Sequence, residues 1–322
     1  IGSLTALSRV VGFIRDVAFA SFLGAGPAAD AFLVALKLPN MFRRLTAEGA
    51  MTNAFLPNFA KLRTQEGSVA AKGLAAEAQI MLILVLFGIV GLAEIFMPQI
   101  ITLLAPGFVA TPDRFDAAVN LGRVTIPYLP MISIVALWVA IANAHDRYMA
   151  GAASPILANL CFIGGAVSIP FFAEDFGVFR ALPIAIGLLL AGLLQLAFLW
   201  VILHRLSALP KLQWPSLSKA GKTMWRNFLP SALGATGMQL NLLVDLILAS
   251  LLSVGAISWL YYADRIAQLP LGIVGIALGT ALLPRLSTVE IEGQQADVRK
   301  ILDEAIVFGG FFVVPANDGT NY

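Results

Sequence analysis

The chain is 322 residues long, 59% hydrophobic and only 12% charged, with a formal net charge of +2. A soluble domain carries roughly 45–50% apolar and about 25% charged residues, so this composition excludes an ordinary water-soluble globule. A small, dispersed positive balance also excludes a nucleic-acid binder, which would mass its basic residues on one surface. Apolar stretches of about 20 residues, the length that crosses ~30 Å of hydrocarbon, recur along the chain. They run continuously in Leu, Ile, Val, Ala and Gly instead of alternating, which rules against a transmembrane barrel. The expected fold class is all-α, a polytopic transmembrane helix bundle. Cys161 is the only cysteine, so an intrachain disulfide and a cysteine metal cage are excluded. No metal or cofactor is expected. The first apolar stretch already holds Arg9, Arg15 and Asp16, which a cleavable signal peptide would not carry, so the start at Ile1 reads as clipped and not processed.

In chain order, apolar segments fall at 3–24, 29–60, 74–104, 117–144, 153–173, 178–203, 226–252, 256–285 and 298–315. The loops alternate in basic content. Lys61, Arg63 and Lys72 follow segment two, Arg147 follows four, five Lys/Arg from Arg205 to Arg226 follow six, and Arg285, Arg299 and Lys300 follow eight. The opposite loops hold only Arg114, Arg123 and Arg180. Twelve against three is a positive-inside bias that places the N-terminus in the cytoplasm. The loop over 205–225 is then cytoplasmic and divides an N-lobe of six helices (1–204) from the start of a C-lobe (226–322).

Segments one and two are echoed further on. Ala20-Ser21-Phe22-Leu23, Gly26, Leu38-Pro39 and Leu56-Pro57 correspond to Ala249-Ser250-Leu251-Leu252, Gly255, Leu269-Pro270 and Leu283-Pro284, at offsets of 227 to 231 residues. Six helices separate the two copies, so they run in the same direction and form a parallel repeat. Transporters built on such repeats hold substrate between two lobes and alternate access by rocking. Gly272, Gly275 and Gly279 give the small-residue spacing of close helix contact.

Ionisable residues at membrane depth are the candidate functional groups: Arg9, Arg15, Asp16, Asp30, Lys37, Arg43, Arg44, Glu48, Asp245, Asp264 and Arg265. Each costs at least ~2.5–3.5 kcal/mol near the bilayer centre unless it faces a bundle interior or watery cavity. Asp30, Lys37, Arg44 and Glu48 fall on one helical stripe, and Arg9 shares a face with Asp16. Acids and bases there either brace the bundle in pairs or serve a ligand. Arg9, Arg15, Arg43 and Arg265 come from corresponding helices of the two repeat copies, which would aim them at one cavity. Guanidinium groups gathered in a cavity suit a phosphorylated anionic amphiphile. Asp245 has no basic residue within a helical turn and either couples to Na⁺ or H⁺ or is a hydrogen-bonded acid that packs helices.

Ser8-Arg9-Val10-Val11-Gly12-Phe13-Ile14-Arg15-Asp16, Phe22-Leu23-Gly24-Ala25-Gly26 and Lys37-Leu38-Pro39-Asn40-Met41-Phe42-Arg43-Arg44 closely resemble signatures of the MurJ (MviN) family. So do Ala47-Glu48-Gly49-Ala50, Ala54-Phe55-Leu56-Pro57, Ala105-Pro106-Gly107-Phe108 and Trp259-Leu260-Tyr261-Tyr262-Ala263-Asp264-Arg265. The resemblance implies a two-lobed MATE-like exporter fold, normally of fourteen helices. It also implies flipping of lipid II, the undecaprenyl-diphosphate-linked peptidoglycan precursor, across the bacterial inner membrane. The family's cavity arginines fall on Arg9, Arg15, Arg43 and Arg265. The family's sensitive polar positions fall on Ser8, Asp30 and Glu48, with Asp16 beside Arg15; the family's drive is membrane potential or a cation, for which Asp245 is the candidate residue, and Asp264 beside Arg265 is a further supporting polar group. Lipid II, membrane lipids and cell-wall synthesis proteins are the partners implied. Where the family continues with further helices, Pro315 to Tyr322 breaks off segment nine, so the chain reads as a fragment. The nearest rival is an exporter of other lipid-linked oligosaccharides or of drugs. An enzyme of polyprenyl phosphates would need clustered carboxylates or a positioned histidine, and His145 and His204 lie at loop edges.

Overall fold

The structure, a computed structural model, describes residues 2–45, 51–172, 177–214 and 218–268. Among these residues there are helices and turns and no strand. Helix α1 (Gly2–Ala18) widens into a π-helical turn, Phe19–Leu23, and stops at Gly24, whose φ of 73° is a conformation glycine adopts without cost. Helix α2 (Pro27–Leu45) starts on a proline, whose missing N–H is not needed in a first turn. There follow α3 (Met51–Gln65), α4 (Ser68–Ile95), α5 (Met97–Leu104), α6 (Pro112–Thr125), α7 (Tyr128–Asn143), α8 (Tyr148–Ser168), α9 (Leu182–Arg205), α10 (Lys219–Ser250) and a helix over 256–268, α11.

Segments one, five, six and seven of the sequence reading each correspond to one helix with its flanking turn. Two of the others divide, segment three into α4 and α5 with Phe96 between, and segment four into α6 and α7 around Ile126 and Pro127. Segment two is covered by α2 and α3, and residues 46–50 lie outside the described residues. Pro98 and Pro127 sit where the new helix begins, and neither can donate the backbone bond that would continue the old one. The remainder of segment eight, all of segment nine, Glu48, and Gly272, Gly275 and Gly279 lie outside the described residues. By contact the chain divides into one compact unit over Ile1–Ser258 and a second over Trp259–Tyr322.

Among the described residues, four stretches are long and apolar enough to cross a membrane: Ser68–Ile95, Pro112–Asn143, Tyr148–Phe171 and Gly177–Arg205. Their outward faces are apolar too, with Phe87, Ile95, Leu190 and Leu194 exposed. In water such a surface would aggregate; against lipid tails it is the ordinary exterior. Lipid provides no hydrophobic drive between helices, so contact must come from close backbone approach and buried hydrogen bonds. Both are present. A Cβ on Gly165 of α8 would lie 2.7 Å from the Pro183 carbonyl oxygen, and one on Gly187 of α9 would lie 2.7 Å from the Cys161 carbonyl oxygen. Trp138 Nε1 donates to Gln79 Oε1 at 2.7 Å, joining α7 to α4. Tyr128 Oη donates to Gln195 Oε1 at 3.3 Å and Gln195 Nε2 to the Ser154 carbonyl at 3.0 Å, joining α7, α9 and α8.

The start of α10 is tied down in the same way. Ser218 caps it by accepting from the Gly221 N–H at 3.1 Å. Its own hydroxyl and N–H donate to Oε2 of the buried Glu77 on α4, at 2.8 and 3.2 Å. The repeat found in the sequence also has a local structural match. Gly26 directly precedes α2 and Gly255 directly precedes α11, so both copies read helix, short link, helix in the same register. If the α8–α9 crossing depends on absent side chains, Gly165→Ala will destabilise the detergent-purified protein by about 1–3 kcal/mol through overpacking. Gly164→Ala, with nothing within 4 Å, will be neutral or stabilising by up to ~1 kcal/mol from helix propensity; thermal unfolding of the two variants separates these outcomes.

Candidate functional site

Arg15 lies on the last turn of α1, just before the π-helical turn. Its Nε and Nη2 donate to Asp16 Oδ1 at 3.0 and 2.7 Å, and its Nη1 donates to Asn159 Oδ1 at 2.9 Å. Asn159 belongs to α8 and also donates to the Ser8 carbonyl at 3.3 Å, so one amide fixes both the backbone of α1 and its guanidinium. The rings of Phe19 and Phe162 lie 5.9 and 5.8 Å from the guanidinium carbon, within cation–π range. They meet each other edge to face at 5.7 Å. The side chain is 19% exposed, against 10% for Asp16. Three of the five guanidinium N–H groups are used in these bonds. This cation is held still by four neighbours and retains an open edge.

Asp30 is arranged differently. It lies on the first turn of α2 and is fully buried. Its Oδ2 accepts from the Gly255 N–H at 2.7 Å and faces Arg114 Nη1 at 3.5 Å. Its Oδ1 accepts from the Ser258 N–H at 3.0 Å and the Ser258 hydroxyl at 2.6 Å. The carboxylate therefore caps the N-terminus of α11 from another helix, where orphan N–H groups and the helix dipole both favour an anion. Arg114 is buried in turn, stacked 4.0 Å over Phe108 with its Nε on Thr111 Oγ1 at 3.1 Å. Three links meet at this end of the first unit: 24–26, 105–111 and 251–255.

The other sequence-derived positions are spread along the same helices. Arg9 is exposed on α1, and Lys37 and Arg43 are half-buried on α2. Ser8 enters through its carbonyl. Asp245 is exposed on α10. In the second unit Gln268 links the two charges of its helix, accepting from Arg265 Nη1 at 3.2 Å and donating to Asp264 Oδ2 at 2.6 Å. Arg265 also lies 5.0 Å over the Tyr261 ring. Arg15 is bonded to Asp16 on its own helix and, through Asn159, to a second helix, α8. Asn159, Phe162 and Arg114 were not among the expected site residues. Asn159 interrupts the run Leu157-Ala158-Asn159-Leu160 and was findable by extending the cost argument from ionisable to amide side chains. Arg114 counts as a loop cation in the sequence because only the fold buries it.

The family model for "Lipid II flippase MurJ" matches residues 19–319. A probable lipid II flippase MurJ of Rhizobium meliloti (strain 1021) is 37% identical over 317 residues, covering 98% of this chain and 59% of that protein. One from Rickettsia prowazekii (strain Madrid E) is 35% identical over 318 residues, covering 98% and 61%. The chain thus spans about three-fifths of the length of the relatives it matches. Among solved structures, a lipid II flippase MurJ in an inward closed conformation superposes with a TM-score of 0.76 at 24% identity, over 98% of this chain and 63% of that one. An inward-facing multidrug resistance MATE family transporter of the MOP superfamily gives 0.67 at 17% identity, over 93% and 67%. The fold is that of this exporter superfamily.

Removing one partner of a buried ion pair leaves the other stranded, at a cost of about 3–5 kcal/mol. Asp30→Ala will accordingly lower the unfolding temperature of the purified protein far more than Asn159→Ala, whose loss is that of ordinary hydrogen bonds, roughly 1–3 kcal/mol. Equal melting of the two variants would contradict the clasp.

Proposed function

Because the chain belongs to the lipid II flippase MurJ family, we propose that the protein moves lipid II from the cytoplasmic to the periplasmic leaflet of the bacterial inner membrane by alternating access. The observation that carries this reading is the setting of Arg15. A diphosphate requires fixed, permanently charged donors, and guanidinium provides a planar fork that matches two phosphate oxygens at once. Asn159 and Asp16 hold the fork in one orientation, the two phenyl rings thin the water around it, and the unused N–H groups point the way for an anion. Asp16 offsets the resting charge, which keeps the bound head releasable.

In this reading Arg9, Arg43 and Arg265 complete the anion site, with Ser8, Asp264 and Glu48 as supporting polar groups. The polyprenyl tail stays in lipid and passes between segments one and eight. The positive-inside bias puts the N-terminus in the cytoplasm, which makes the Asp30 end of the bundle periplasmic and its clasp the closed outer gate. Asp245, exposed on α10, is the position for Na⁺ or H⁺ coupling. A drug exporter of the same fold has no use for a guanidinium fork tuned in this way.

In a strain depleted of the chromosomal copy, the full-length parent carrying Arg15→Ala should reach the membrane normally and deliver at least tenfold less lipid II to the outer leaflet. Arg15→Lys, which keeps the charge and loses the fork, should also fall well below wild type. Normal delivery by both Arg15→Ala and Arg265→Ala would reject the site.

A further inference from the structure

The clasp at Asp30 has a neighbour with no side chain at all. Gly107 lies in the tight turn Pro106–Ala110 that joins α5 to α6. Its N–H donates to Ser250 Oγ at 3.3 Å, at the last residue of α10. A Cβ built on Gly107 would run into the Ser250 carbonyl oxygen, lie 2.5 Å from the carbonyl carbon and stand 3.0 Å from the Leu251 Cα. All three are backbone atoms, so no rotamer change can make room. Gly107 is not among the glycines with positive φ, so alanine would suit its backbone and only the contact forbids it.

The position of this contact gives it meaning. The next residue, Phe108, is fully buried and lies under Arg114, which faces Asp30, which caps α11 through Gly255 and Ser258. The turn 106–110 therefore touches the α10–α11 link twice, once through a chain of charges and once through bare backbone. The charged route sets the attraction. The glycine sets how closely the end of α10 can approach.

We infer that Gly107 is a positioning residue of the transport cycle: the missing Cβ allows the outer gate to shut, and any side chain there holds the gate ajar without disturbing insertion. This rests on the alternating-access reading above, but its test does not depend on which lipid is carried. Ala256 is 6% exposed just inside the closed link, so a cysteine placed there reports opening. In the full-length parent freed of other reactive cysteines, Ala256→Cys is treated in spheroplasts with a membrane-impermeant maleimide. Adding Gly107→Ala should speed labelling about tenfold or more, because overpacking falls on the closed state alone. Gly91→Ala and Gly164→Ala, where a Cβ meets nothing within 4 Å, should leave the rate unchanged. Equal rates for Gly107→Ala and the two controls would overturn the inference. Should Gly107→Ala not reach the membrane, Ser250→Ala replaces it, removing the hydrogen bond without adding volume. A several-fold faster rate then supports the gate contact, and an unchanged rate overturns it. Failure of the wild-type parent to deliver lipid II would reject the proposed substrate and leave the labelling result standing.

Discussion

A charge inside a bilayer-embedded bundle must find its counterpart within the protein, because no water is at hand and lipid provides neither donors nor acceptors. Most of the first unit's organisation follows from that constraint. Asp30 is answered by the N-terminus of α11 and by Arg114, Glu77 by the capped start of α10, and Arg15 by Asp16 and Asn159. Each solution recruits a helix distant in sequence. Polar groups that would be liabilities in isolation thus become the ties that decide which helices are neighbours. The Glu77 tie falls at the start of α10, and the bond from the Gly107 N–H to Ser250 Oγ holds its end, so that helix is held within the first unit at both termini.

The same constraint separates structural charges from those with chemistry left to perform. Asp30 has four close donors and no exposure. Its hydrogen-bonding capacity is met within the protein. Arg15 is oriented by a carboxylate, an amide and two rings, yet is 19% exposed with donors to spare. A fully satisfied ion braces, whereas an oriented and incompletely satisfied one keeps donors for a further partner. The two types stand on consecutive helices, α1 and α2.

Glycine and serine complete the design where charge does not act. Gly165 and Gly187 bring α8 and α9 to backbone distance, and Gly107 does the same between the α5–α6 turn and the end of α10. In a membrane these positions replace the large apolar side chains that hold a soluble core, because lipid competes equally for those side chains and cannot follow a backbone into a groove.

The sequence by itself determined the class of the protein, the approximate spans, the family and which charges were misplaced in hydrocarbon, since each follows from local composition and spacing. Among the described residues, helices start directly after both Gly26 and Gly255, the two glycines the sequence pairs. Only the tertiary structure decided what the charges do. Asp30 and Lys37 share a stripe on paper, but Asp30 is committed to a helix end 225 residues away, while Arg114, counted as a loop cation, is the buried partner it faces. The frame around Arg15 required knowing that α8 lies against α1, and the role of Gly107 required knowing whose backbone stands opposite. Periodicity and transfer cost are properties of one segment, whereas counter-charge, close approach and capping belong to pairs of segments whose meeting no local pattern records.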